Sequence, residues 1–195
     1  YPVFKMKLLY VLIKNINKIY IVACGSAYHV GVVGKYVIEK MCRIPVEVQV
    51  ASEFRYCDPI VGKDDLVIVI SQSGETADTK AALEEAKARG ARVLSIVNVV
   101  GSAIAKASDD VIYTWAGPEI AVATTKAYST QLTVIYLIAA YMADKLGKIS
   151  KEEYASVAES VGIDTIPELS NKAIKHPMND HMPSRYANQL PYMDR

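Results

Sequence analysis

The chain is poor in the residues that build disulfide frameworks and metal centres. Its cysteines are Cys24, Cys42 and Cys57, an odd number with no C-x-x-C spacing. That pattern excludes a disulfide scaffold or a zinc site and fits a reducing, cytoplasmic setting, with structural roles expected for all three thiols. Histidine is equally scarce. His29 falls inside a helical pattern and reads as a packed or surface residue. His176 and His181 lie in a proline-containing tail with no Cys, Asp or Glu at ligand spacing, so no metal is expected. Charge of one sign is also missing: 22 basic against 21 acidic residues leave a net charge of +1. A nucleic-acid face needs clustered Lys and Arg, and none is found. The longest apolar run, residues 132–143, contains Thr133 and two tyrosines and is too short to span a bilayer, so it reads as a buried helix. The G-x-S-x-G elbow, the Walker A motif and the G-x-G-x-x-G fingerprint are all absent. No nucleophile with its base can be named, and no cofactor is expected. There is no signal-peptide pattern, and the first residue is Tyr1 rather than Met, which suggests a piece of a longer protein.

What is present is an α/β alternation. Of 195 residues, 51% are apolar, ample for one core with excess chain at the ends. Short apolar segments at 19–23, 46–50, 66–70, 93–97 and 111–114 read as strands. Segments 19–23 and 66–70 are apolar throughout, as strands covered on both faces tend to be. Helical patterns occupy 28–41, 76–89 and 125–146, with a short turn or helix at 101–107. Gly31 and Gly34 fall within the first of these and suit close packing. The expected fold is a three-layer αβα sandwich with a five-stranded parallel sheet in flavodoxin-like order and segment 66–70 in its interior. Gly90 is placed to end a helix. Beyond Gly147 the composition turns polar. Ser150 with Glu153 three residues on is a capping-box pattern for a helix at 151–160. A further helix is expected at 167–175, and an irregular tail at 176–195. The domain division is therefore 1–18 as an N-terminal packing segment or linker, 19–147 as the folded domain, and 148–195 as a helical connection and tail.

Ligands of open parallel sheets sit at the carboxyl ends of the strands. After segment 66–70 comes Ser71-Gln72-Ser73-Gly74-Glu75-Thr76, directly before an alanine-rich helix. A helix N-terminus presents unpaired N–H groups and partial positive charge, which suits a phosphate. Ser71, Ser73 and Thr76 add hydroxyls, and Gln72 an amide. An ordinary N-cap explains some of this, but three hydroxyls and an amide in six residues favour an anion site. After the first strand, Cys24-Gly25-Ser26-Ala27 is either a tight turn with a capping serine or a second wall of the same pocket. The long loop after the fifth strand carries Glu119, Thr124, Thr125 and Lys126, with Thr124 or Thr125 an N-cap candidate. Residues 51–56 read as a loop in which Glu53 and Arg55 form a structural or interface ion pair.

Together these loops resemble the SIS (sugar isomerase) domain. The carrying stretches are Ala23-Cys24-Gly25-Ser26, Ser52-Glu53-Phe54-Arg55-Tyr56, residues 66–78 around S-Q-S-G-E-T, Glu119-Ile120-Ala121-Val122-Ala123-Thr124-Thr125-Lys126, and Thr130-Gln131-Leu132-Thr133. S-x-S-G-x-T marks SIS domains generally. The S-E-F-R-Y and E-I-A-V-A-T-T-K stretches are similar more narrowly to the first SIS domain of the glucosamine-6-phosphate synthases, the glutamine–fructose-6-phosphate aminotransferases. The resemblance implies a sugar-phosphate site in which Ser71, Gln72, Ser73 and Thr76 hold the phosphate, and Ser26, Val122 and Thr124 contact phosphate or sugar. It also implies fructose 6-phosphate or glucosamine 6-phosphate as ligand, pairing into a homodimer, and parent glutaminase and second SIS domains that this chain lacks. Two positions depart from the family pattern. Ala27 stands where a serine is common, and Thr124 replaces a serine. A related SIS deglycase or sugar-phosphate isomerase is one alternative, and a non-catalytic sugar-phosphate sensor is another. No catalytic residue is assigned, and the chain alone is not expected to perform the synthase reaction.

Overall fold

The computed structural model describes residues 13, 15–119 and 124–160. Five strands, β1 (Lys18–Ala23), β2 (Val46–Val50), β3 (Asp65–Ser71), β4 (Arg92–Val97) and β5 (Asp110–Tyr113), form one sheet in the order β2-β1-β3-β4-β5. Every pairing is parallel. The central strand β3 lies within the sheet, as its unbroken apolar sequence requires. In the register, Ile21 stands between Val48 of β2 and Ile68 of β3.

Alternation along β1 divides the core. Ile19, Ile21 and Ala23 face one layer, which contains α1 (Ser26–Cys42) and α5 (Thr125–Lys145). Tyr20 and Val22 face the other, built from α2 (Ala51–Phe54), α3 (Ala77–Ala88) and α4 (Ala103–Ala107). Gly31 and Gly34 set how closely α1 approaches. A Cβ at Gly31 would lie 2.8 Å from Ile21 Cγ2, and one at Gly34 would lie 3.0 Å from Ile135 Cγ2. Their bare backbones let α1 nest between the sheet and α5. Along α5, Ile135, Ile138, Ala139 and Met142 are buried within this chain. The apolar run at 132–143 is thus partly absorbed by the domain's own core, while Leu132, Val134 and Leu137 are half-buried and Tyr136 is exposed.

Local signals end the helices as expected. Gly90, at φ 89°, closes α3: its N–H donates to the Lys87 carbonyl, and Ala91 N–H donates to the Ala86 carbonyl. Before α6 (Lys151–Ser160), Ser150 and Glu153 exchange hydrogen bonds of 2.8 and 3.1 Å, a complete capping box.

The stretch after β2 differs from expectation. Residues 51–54 form a helical turn rather than a loop, because Ala51 and Phe54 are both buried. The Phe54 ring packs edge-on to Tyr20, with centroids 6.1 Å apart. Glu53 and Arg55 do not pair. Both are exposed, and Arg55 lies over the Tyr56 ring, 4.8 Å from its centroid. The expected segments at 1–12, 167–175 and 176–195 lie outside the described residues.

Candidate functional site

The chain runs from β1 outward to β2 and then returns to the opposite side of β1 as β3. Between β1 and β3 the connections diverge, and a crevice opens at their carboxyl ends. There the structure has a cavity of about 480 Å³, lined from three loops: Cys24 to Ala27, Ile70 to Ser73 with Thr76, and Glu119, Thr124, Ala127 and Gln131. That volume is within the usual range for small-molecule sites.

The loop after β3 is organised by its first serine. Ser71 is 3% exposed. Its Oγ accepts the Gly74 N–H at 3.1 Å and lies 3.0 Å from Thr76 Oγ1. Ser73 is exposed, and its Oγ accepts the Glu75 N–H at 3.2 Å. Gly74 turns the chain at φ 67°, where a Cβ would lie 2.0 Å from Ser102 Oγ. The neighbouring loop braces the whole turn. Asn98 N–H donates to the Gln72 carbonyl at 3.1 Å, and Ile104 N–H to the Gly74 carbonyl at 2.9 Å. Ala103 N–H donates to the Glu75 carboxylate at 2.8 Å.

Thr76 is the N-cap of α3, yet its side chain makes no capping bond. The ordinary-cap reading of this hydroxyl therefore fails. Thr124 before α5 likewise makes no side-chain capping bond, and Gly25 before α1 has no side chain to make one. Three helix N-termini meet at one cavity, and none is capped by its own N-cap side chain. Each contributes partial positive charge. Glu119 accepts the Ala127 N–H at 3.1 Å in the first turn of α5. Ser26 Oγ lies 3.1 Å from Thr124 Oγ1, joining the first and last loops. Thr124 itself has φ 51°, an unusual backbone for a β-branched residue.

Of the seven residues expected at the site, Ser26, Ser71, Gln72, Ser73, Thr76 and Thr124 line this cavity. Val122 lies outside the described residues. His29 is exposed on α1, edge-on to Tyr28, and does not line the cavity. Cys24 does line it and accepts a long contact from Thr79 Oγ1 at 3.9 Å. Gln131 went unassigned from the sequence. Its signal there was its place in the Thr130-Gln131-Leu132-Thr133 stretch that resembles the family, which carried no role for it. No lysine or arginine is among the described lining residues, so any anion here must be met by N–H and hydroxyl groups.

The sequence profile of the SIS domain matches residues 12–141. The chain belongs to the SIS-domain family. This SIS domain is 60% identical over 162 residues to the glutamine–fructose-6-phosphate aminotransferase (isomerizing) of Clostridium tetani, covering 83% of the chain and 26% of that protein. Against the enzyme of the same name from Caldanaerobacter subterraneus the identity is 63% over 145 residues, covering 74% of the chain and 24% of the relative. The chain thus spans about a quarter of the length of these relatives. Among solved structures, the C-terminal domain of glucosamine-fructose-6-phosphate aminotransferase from Francisella tularensis superposes with a TM-score of 0.76 at 37% identity, covering 80% of this chain and 44% of that one. The αβα architecture and the strand order of the SIS domain are therefore those of its family. No helix among the described residues is long and apolar enough to cross a membrane.

Proposed function

We propose that this SIS domain anchors the phosphate of fructose 6-phosphate as one half-site of a glutamine–fructose-6-phosphate aminotransferase. The observation that carries the reading is the convergence of three helix N-termini, uncapped by their own N-cap side chains, with the hydroxyls of Ser26, Ser71, Ser73, Thr76 and Thr124 around one cavity. Similarity to enzymes of that name supports the choice of substrate. The whole enzyme would join ammonia from glutamine to fructose 6-phosphate and release glucosamine 6-phosphate. In that reaction this chain's part is positional.

The hydrogen-bond pattern suits the task. Ser71 Oγ accepts from Gly74 N–H and can donate to Thr76 Oγ1, which frees the Thr76 hydrogen for a phosphate oxygen. Of the Ser26 and Thr124 hydroxyls, one donates to the other and the second is left to donate to the ligand. Phosphate held at this end lets binding energy remote from the reacting carbons orient them. The base that moves a proton between those carbons belongs, in this reading, to a second SIS domain, reached through residues 148–195. Glutamine hydrolysis belongs to a glutaminase domain. The domain itself is taken as residues 19–147, acting in the cytoplasm as one of a pair of copies.

Titration calorimetry of the 195-residue chain with fructose 6-phosphate tests the reading. Replacing Ser73 and Thr76 together with alanine removes hydrogen bonds to a charged group worth roughly 1–3 kcal/mol each. Affinity should fall accordingly. Equal affinities of wild type and double variant would reduce the loop to a helix start.

A further inference from the structure

Gln131 is 3% exposed, lies on the long helix α5 and lines the cavity. Its neighbours on the same helical stripe explain how it reaches there. Thr124, Ala127 and Gln131 recur at spacings of three and four, so they share one face. The small Ala127 leaves the wall low between the hydroxyl at the rim and the amide below. Farther along the stripe, Ile135 is fully buried against α1. Gln131 therefore occupies the step where the helix passes from cavity wall to core, a position that packing alone would fill with an aliphatic residue.

The other polar side chains of this part of α5 are satisfied by their own helix. Ser129 Oγ donates to the Thr125 carbonyl at 3.0 Å, Thr130 Oγ1 to that of Lys126 at 2.9 Å, and Thr133 Oγ1 to that of Ser129 at 3.1 Å. The Gln131 carboxamide makes no hydrogen bond to any described residue. Ser102 Oγ is the one side-chain polar atom among the described residues that is both shut off from solvent and unpartnered, so the Gln131 amide opens onto the cavity it lines. An amide that has no partner in the protein and opens onto a ligand cavity is placed to meet the ligand.

We propose that Gln131 is a specificity-determining residue that hydrogen-bonds a hydroxyl or carbonyl oxygen on the carbon chain of the bound sugar phosphate. This rests on the sugar-phosphate reading above and extends it from the phosphate to the polyol. The chemistry of the group supports it. A carboxamide offers donors and an acceptor side by side, which matches a hydroxyl that both donates and accepts. The phosphate, an acceptor, is already served by the N–H and hydroxyl donors of the three loops.

The test compares two probes, inorganic phosphate and fructose 6-phosphate, on the full chain and on Gln131→Met, which keeps the volume and removes the polar atoms. Fructose 6-phosphate should bind about tenfold more weakly to the variant, while inorganic phosphate changes by less than about twofold. The variant should melt no lower than wild type, since methionine keeps the volume and no hydrogen bond within the protein is lost. Unchanged affinity for fructose 6-phosphate would overturn the proposal while leaving the anion site standing. Parallel weakening of both probes, or a lowered melting temperature with both lost, would make Gln131 a structural support and overturn it likewise. Wild type that binds neither probe would overturn this proposal together with the sugar-phosphate reading.

Discussion

Ser26 Oγ and Thr124 Oγ1 lie 3.1 Å apart across 98 positions of the chain. The bond ties the turn after β1 to the start of α5, where Thr124 has a positive φ of 51°. Two helix N-termini are thereby fixed to one rim of the cavity. Because the hydroxyls share a hydrogen, they should act on a ligand as one unit.

A double-mutant cycle makes that measurable. Ser26→Ala and Thr124→Ala should each weaken fructose 6-phosphate binding by roughly 0.5–1.5 kcal/mol. The double variant should lose clearly less than the sum, as expected of groups in one network. Strictly additive losses in calorimetry would show that the two hydroxyls act independently.

Gly74 and Ser102 define a second contact. A Cβ at Gly74 would meet Ser102 Oγ at 2.0 Å and Ser102 Cβ at 2.6 Å, on a backbone with φ 67°. Ser102 Oγ is buried and has no hydrogen-bond partner among the described residues. Gly74→Ala should therefore destabilise the domain by roughly 1–3 kcal/mol in urea denaturation and weaken phosphate binding, through both strain and overlap. Adding Ser102→Gly should restore only part of the loss, since the overlap goes and the backbone strain remains. Full stability in the single variant would mean that the loop is free to shift away from Ser102.

Cys42 gives the fold a pH dependence on the alkaline side. It is 1% exposed, and its Sγ donates to the Ala139 carbonyl at 3.3 Å, joining α1 to α5. Burial pushes its pKa up from 9.0 to about 12. The folded state thus keeps a proton that the unfolded chain releases. Its contribution is fully present below the unfolded pKa near 9 and is lost as pH rises toward 12. Urea denaturation between pH 8 and pH 10 should show stability falling with a limiting slope of about 1.4 kcal/mol per pH unit from this thiol. Cys42→Ala should have a shallower decline. Identical slopes would assign the alkaline loss to other groups.

Much of the fold was legible because its causes are local or one-dimensional. A strand covered on both faces is apolar over nearly its whole length, so β1, β3 and β4 stand out in the sequence even with Ser95 inside β4. The Gly90 stop and the Ser150–Glu153 box are made by residues a few positions apart. The hydroxyl-rich turn at 71–76 is equally compact, and its place before a helix follows from the strand ahead of it. The remaining features depend on groups far apart in the chain. Residues 51–54 become helical because Phe54 finds the Tyr20 ring. Glu119 finds the Ala127 N–H eight residues on, and Arg55 turns to Tyr56 instead of Glu53. Gln131 is a cavity residue only because β1, β3 and α5 leave space on that side. Sequence alone determined which segments must be buried and which turns can present N–H groups, since periodicity and capping act over a few residues. Tertiary structure decided which hydroxyls and amides share one cavity, because a hydrogen bond depends on distance in space and the sheet brings together loops nearly a hundred residues apart.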